Sequence, residues 1–142
     1  MSQAQVPRAL RARVRETARY RCGYCLTAEA VVGMPMEIEH ILPAARGGDT
    51  VEDNLWLACS FCNKTKGQRV SATDPVTGEV VSLFDPRRQS WSDHFAWTAD
   101  SSQVIGLTAV GRATVRALNL NRPTLRAARH VWAAAGWHPP KE

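Results

Sequence analysis

The sequence predicts an α+β protein: a strand–loop–strand–helix core stapled by four cysteines, an N-terminal helix before it, and an α/β extension after it. Three observations carry this expectation. Two CxxC pairs, Cys22–Cys25 and Cys59–Cys62, bracket a segment in which strand-like alternation gives way to a short helical run. A proline-initiated amphipathic stretch precedes the first pair, and strand and helix patterns alternate after the second. The expected division is residues 1–70 for helix and core, and 71–142 for an extension packed on it. Of the 142 residues, 44% are apolar and 22% charged, a globular composition rather than a disordered one.

The elements follow in order. Pro7 suits a helix's first turn, where its missing N–H costs little. From there to about Tyr20 the chain reads as helix. Leu10, Val14 and Ala18 form one stripe, and Arg8, Arg11, Arg15 and Arg19 the neighbouring one. Residues 34–41, bounded by Gly33 and Pro43, alternate and read as a strand. A polar loop leads to a second strand at Leu55–Ala58, then a short helix from about Phe61 to Lys66 that Gly67 ends. Beyond a turn at 74–78 come strands at 80–84 and 103–107. Between them the aromatic segment 90–97 reads as a helical turn or an irregular packed stretch. Thr108 is placed to cap a helix over 109–118, and Asn121 a last one running to about Ala135.

Charge is unevenly spread. Residues 1–21 carry six Arg against one Glu, and 112–142 carry five Arg and one Lys against one Glu. The stretch between holds six basic and eleven acidic residues, and the whole chain is +5. Basic flanks around an acidic centre suit a protein that grips a polyanion while holding a cation. They equally suit a solvated surface, and charge alone does not decide. No run is long enough to span a bilayer, and the first 16 residues lack the apolar core of a secretory signal, so a cytoplasmic protein is expected.

In a reducing compartment, four cysteines point to metal ligands before disulfides. A two-residue gap lets both thiolates of a knuckle face one ion, and two knuckles complete a tetrahedral structural zinc site at Cys22, Cys25, Cys59 and Cys62. No βαβ pattern surrounds either pair, which argues against a redox role.

The residues between the pairs carry chemistry. His40, with an ordinary pKa near 6.5, is a natural general base. Glu39 offers hard carboxylate oxygen and Asn63 an uncharged carbonyl, a sparse oxygen set that fits catalytic Mg²⁺ or Mn²⁺. Adjacent strand residues point to opposite faces, so Glu39 and His40 would need a strand end or twist to serve one site.

The string EHI-x-P-x-x-x-GG, then DNL, then C-x-x-CN-x-x-KG over residues 38–67 resembles the signature of HNH, or ββα-metal, endonucleases in its H-N-N form. The flanking CxxC pairs resemble that family's zinc-stapled branch. The resemblance implies a metal-dependent endonuclease that hydrolyses DNA. His40 would be the base, Glu39 and Asn63 the cation ligands, and Asn54 would hold the loop and orient His40. Glu39 departs from the commoner Asp, and Asn63 from His. Arg46, Lys64 and Lys66, with the Arg stripe of the first helix, are expected phosphate contacts. One metal and one base would act on one strand, so a double-strand cut implies a homodimer or a second event. The alternatives are a non-catalytic zinc module that binds nucleic acid and a degenerate fold kept for protein contacts.

Residues 80–132 resemble a C-terminal extension of some small bacterial HNH proteins. His94, among Trp91, Phe95 and Trp97, reads as a packed structural histidine. Arg112, Arg116, Arg122, Arg126 and Arg129 are candidates to extend a phosphate-binding surface. Trp56, Trp132 and Trp137 are expected in the core.

Overall fold

A computed structural model describes residues 6–141, which leaves the start of the stretch read as lacking a secretory signal outside it. The elements form two compact units. One runs up to Val70 and takes in Asp85–Arg87; the other comprises Ser71–Phe84 and the residues from Arg88 on. The architecture is α+β, with small antiparallel sheets and a cysteine cluster. Among the described residues, no helix is long and apolar enough to cross a membrane.

The first unit opens with α1 (Arg8–Thr17), and Pro7 is its N-cap rather than its first helical residue. Leu10, Val14 and Ala18 are buried, as their spacing predicts, against Val6, Ile38, Leu55 and Leu57. Burying a side chain of Leu or Val size contributes about 1.5–3 kcal/mol, so this stripe anchors the helix. The helix stops short of Tyr20 because Arg19 and Tyr20 turn left-handed, with φ of 57° and 58°. Each such non-glycine residue costs roughly 1–2 kcal/mol.

A one-turn helix not foreseen in the sequence, α2 (Glu29–Val32), ends at Gly33. Strand β1 (Glu37–His40) pairs antiparallel with β2 (Leu55–Ala58), Glu37 opposite Ala58 and His40 opposite Leu55. The expected strand is trimmed at its start because Met36 N–H bonds the Glu29 carboxylate instead of a strand partner, at 2.7 Å. Helix α3 (Ser60–Lys66) follows directly, capped by the Cys59 sulfur, which accepts from Cys62 N–H. The returning segment Asp85–Arg87 belongs to this unit. Arg87 donates to the Leu55 carbonyl at 2.9 Å and lies 5.0 Å over the Trp56 ring.

In the second unit β3 (Ser71–Thr73) pairs with β4 (Val80–Ser82), and β5 (Phe95–Trp97) with β6 (Val104–Gly106). Strands β3 and β5 escaped the sequence reading, since three residues give no measurable alternation. Between them lies α4 (Trp91–His94), and α5 (Ala109–Ala117) and α6 (Pro123–Ala134) complete the unit. Thr108 caps α5 by accepting from Gly111 N–H, as expected. Asn121 does not cap α6, whose N-cap is Arg122. Its amide instead pairs both ways with the backbone of Val104.

Two of the arginines expected to face phosphate are structural. Arg112 makes a two-pronged ion pair with the buried Asp74, whose carboxyl it holds well below the usual range. Arg129 is fully buried, donates to the Ser102 carbonyl at 3.1 Å and lies over Trp97. His94 bonds the Thr108 hydroxyl at 2.7 Å and packs edge-on against Phe84, a structural role. Trp137 is 59% exposed, against expectation.

Candidate metal and catalytic site

The first knuckle is a tight loop between α1 and α2. Cys22 N–H bonds the Thr27 carbonyl, Leu26 N–H bonds the Cys22 carbonyl, and Leu26 takes a left-handed φ of 59°. Gly23 N–H bonds the Leu57 carbonyl and so ties the knuckle to β2. A Cβ at Gly23 would lie 2.4 Å from the Trp56 ring, so only glycine lets the loop approach this closely. The second knuckle runs from the end of β2 into the first turn of α3.

The four sulfurs all lie within 4.8 Å of one another, and Cys25 and Cys59 are 3.8 Å apart. Zn–S bonds near 2.3 Å set a tetrahedral edge of about 3.8 Å, so the cluster has the size a zinc–thiolate centre needs. Burial pushes the Cys22 thiol up. A bound cation is what would let four clustered thiols give up their protons together. The Thr27 hydroxyl stands 3.2 Å from the Cys25 sulfur, placed to support a thiolate there.

The loop from His40 to Leu55 closes on Asn54. Its amide donates to the carbonyls of Leu42 and Asp49, both at 3.0 Å, and its oxygen accepts from Leu42 N–H at 2.8 Å. The paired glycines have separate reasons. Gly47 has φ 89°, and a Cβ on Gly48 would sit 1.7 Å from the Leu42 oxygen. Asn54→Ala removes three hydrogen bonds and is expected to cost about 1–3 kcal/mol, read as a lower denaturant midpoint at unchanged slope.

Strand periodicity puts Glu37 and Glu39 on one face of β1, and α3 packs against that strand. Glu39 is 1% exposed. Its Oε1 accepts from the Tyr24 hydroxyl and from Lys66 Nζ, both at 2.8 Å. Its Oε2 is buried without a hydrogen-bond partner among the described residues. Burial raises its pKa, with the Lys66 ammonium opposing. Lys66 also donates to the carbonyls of His40 and Ile41, at 3.1 and 2.9 Å. It is therefore an internal tie for the strand end, not the phosphate contact its position in the motif suggests.

Asn63 lies one turn into α3, not at its start, and Cys59 is the cap. Its Nδ2 donates to Glu37 Oε1 at 2.8 Å. A carboxylate can only accept, so this bond fixes the amide and leaves Oδ1 as its available acceptor. His40 ends β1 half-buried, with Nε2 3.0 Å from the Thr50 hydroxyl. Burial lowers its pKa and the Lys66 ammonium adds to the effect, which favours neutral imidazole. Its ring makes no hydrogen bond to Glu39 or Asn63 among the described residues; Thr50 is its partner.

Glu37, Tyr24 and Thr50 escaped the sequence reading. Glu37 alone had a signal, since it is two residues before Glu39 and so shares its face. The expected phosphate contacts divide. Arg8, Arg19 and Lys64 are exposed. Arg46 is also exposed, and its guanidinium donates to the Gln68 carbonyl. Arg15 is committed to an ion pair with Glu29 at 2.7 Å, which breaks the Arg stripe of α1.

Strand, loop, strand and helix, closed by a four-cysteine cluster able to hold a metal ion, define a ββα unit. Residues 22–69, which span that unit, match the family model described as HNH endonuclease, so the chain carries an HNH endonuclease domain. No curated protein and no solved structure matches the chain.

Proposed function

We propose that this protein is a zinc-stapled, metal-dependent endonuclease that hydrolyses phosphodiester bonds in DNA, with His40 as general base. The observation that carries the reading is the coincidence of the HNH match with a ββα unit whose first strand ends on a half-buried histidine, bonded to the Thr50 hydroxyl. With Nε2–H donated to Thr50, Nδ1 keeps the lone pair that would take a proton from water. Two acceptors fit a divalent cation, Mg²⁺ or Mn²⁺: the unpartnered Oε2 of Glu39 and the Oδ1 of Asn63. When bound, such a cation stabilises charge on the phosphate and the leaving oxygen. Glu37 fixes the Asn63 amide through its Nδ2, Asn54 holds the loop, and Lys66 fixes the strand end at His40. Exposed Arg8, Arg19, Arg46 and Lys64 supply phosphate contacts. With one base per chain, a double-strand cut would take a homodimer or a second event.

One observation favours the second reading, a non-catalytic zinc module that binds nucleic acid: Glu39 Oε1 is already shared by Tyr24 and Lys66. The test is cleavage of supercoiled plasmid with Mg²⁺ or Mn²⁺ by the parent and by His40→Ala. The expected result is at least about a 100-fold loss of cleavage in the variant with DNA binding retained. Parental cleavage should rise with pH through a midpoint below the ordinary imidazole value of about 6.5, because burial lowers the His40 pKa. A parent that binds DNA and never cuts it establishes the module instead.

A further inference from the structure

We propose that a cleft beside the C-terminal end of α1 binds one unpaired nucleotide of the substrate, with Tyr20 stacking on the base and Arg19 meeting the phosphate. This rests on the nucleic-acid reading above and adds to it a preference for a single-stranded element. The cleft has a volume of about 580 Å³, within the range of small-ligand sites, and Arg15, Arg19, Tyr20, Glu29, Met34 and Pro35 line it.

Its construction is unusual at the backbone. Arg19 and Tyr20 both hold left-handed φ, where helices commonly end on glycine. Glycine would close α1 without strain, so what these residues add is their side chains. Tyr20 is 47% exposed. Its ring is steadied by the Arg15 guanidinium, 5.6 Å from the centroid, and Arg15 is itself pinned by Glu29. The Tyr20 carbonyl accepts from Glu29 N–H at 2.9 Å, which fixes the residue from behind. Met34, 65% exposed, and Pro35 supply the apolar remainder of the lining.

Charge selects the ligand. The Arg15–Glu29 pair neutralises itself, and the Arg19 side chain has no ion pair or hydrogen bond among the described residues. A lined space with an exposed aromatic ring, an apolar wall and one unspent cation suits a planar ring bearing an anion, which is a nucleotide. An acidic peptide would meet the cation but leave the flat, aromatic part of the cleft poorly filled. Base–aromatic stacking tolerates any base, so no sequence preference is expected from this contact.

The experiment uses the full-length, metal-loaded His40→Ala protein, so that substrate is not consumed, with oligonucleotides carrying 2-aminopurine in a single-stranded stretch or a duplex. Binding is expected to quench the fluorophore in the single strand. Adding Tyr20→Gly should abolish the quench and weaken single-strand binding by roughly 5–150-fold, the range for one stacked base, while duplex affinity holds. Because glycine relieves the left-handed strain, that variant should melt no lower than its parent, which separates lost contact from lost folding. Tyr20→Phe should keep the quench, and Arg19→Ala should reduce the salt slope by about one. Duplex binding with single-strand affinity indifferent to Tyr20 would overturn the cleft proposal alone. Failure to bind any nucleic acid at low salt would overturn both it and the nuclease reading. A self-association that Tyr20→Gly abolishes would give the cleft to a second copy of the chain and also overturn the proposal.

Discussion

Stripping the metal from the four-cysteine cluster is expected to unfold the region from Cys22 to Val70. Apparent binding free energies of structural zinc run to about 10–16 kcal/mol, comparable to or above the 5–15 kcal/mol net stability of a whole domain. The hydrophobic alternative is thin here. The buried apolar cluster of this unit is seven residues, from α1 with its flanking Val6 and Ala18 and from β1 and β2, and none of them lies in α3. What joins α3 and the first knuckle to those strands includes the cysteines themselves and the bond from Gly23 N–H to the Leu57 carbonyl. Without the ion, four thiols lie within 4.8 Å with no charge to gather them. Circular dichroism and thermal melting during a chelator titration test this. Cys62→Ser should reproduce the loss, since its sulfur is one of the four. An unchanged melt after full removal of metal would show that packing alone suffices.

Lys66→Met carries the second-largest expected effect. The change keeps volume and apolar stem but removes the ammonium that meets Glu39 Oε1 and two backbone carbonyls. Breaking a buried ion pair from one side typically costs about 3–5 kcal/mol, because the remaining charge stays buried uncompensated. Here the remaining charge is a carboxylate whose pKa burial already raises. In the variant it should fold as the neutral acid. The folded state then binds a proton that the unfolded state releases, so stability should fall as pH rises above the ordinary carboxylate value of about 4.3. Chemical denaturation at two pH values checks both the size and the sign. Adding Glu39→Gln should recover much of the loss and flatten the pH dependence, and this double-mutant cycle isolates the pair. Independent, additive losses from the two changes would mean that the pair is not coupled as its geometry implies.

The parts of the fold legible in the sequence are those where one pattern dominates. Leu10, Val14 and Ala18 repeat at helical spacing and are buried together. Leu55–Ala58 is a continuous apolar run between polar neighbours, and its bounds emerge as read. Thr108 is a capping residue in front of a helical pattern and caps it. The four-cysteine cluster was legible because two regular pairs leave little else to build. The three-residue strands β3 and β5 were not, because their formation depends on partners seven to eleven residues away, in β4 and β6. The arginines were the least readable. Sequence shows their charge but not their counter-ions, so Arg15, Arg112 and Arg129 looked alike with Arg8 and Arg19. Their separation into ion-paired, buried and exposed groups depends on Glu29, Asp74 and Ser102, which tertiary contact alone supplies. Lys66 failed for the same reason: its place in the motif is consistent with a surface role, and only packing reveals that Glu39 and two carbonyls claim it.

The detour of the chain through Asp85–Arg87 makes the HNH unit discontinuous. A fragment cut after Val70 would contain every residue of the family match and still lack Arg87, leaving the Leu55 carbonyl without that donor and the Trp56 face uncovered. The minimal excisable piece therefore does not coincide with the stretch that carries the signature. Grafting this domain onto another scaffold would require transplanting a three-residue patch from downstream, or supplying a guanidinium in its place.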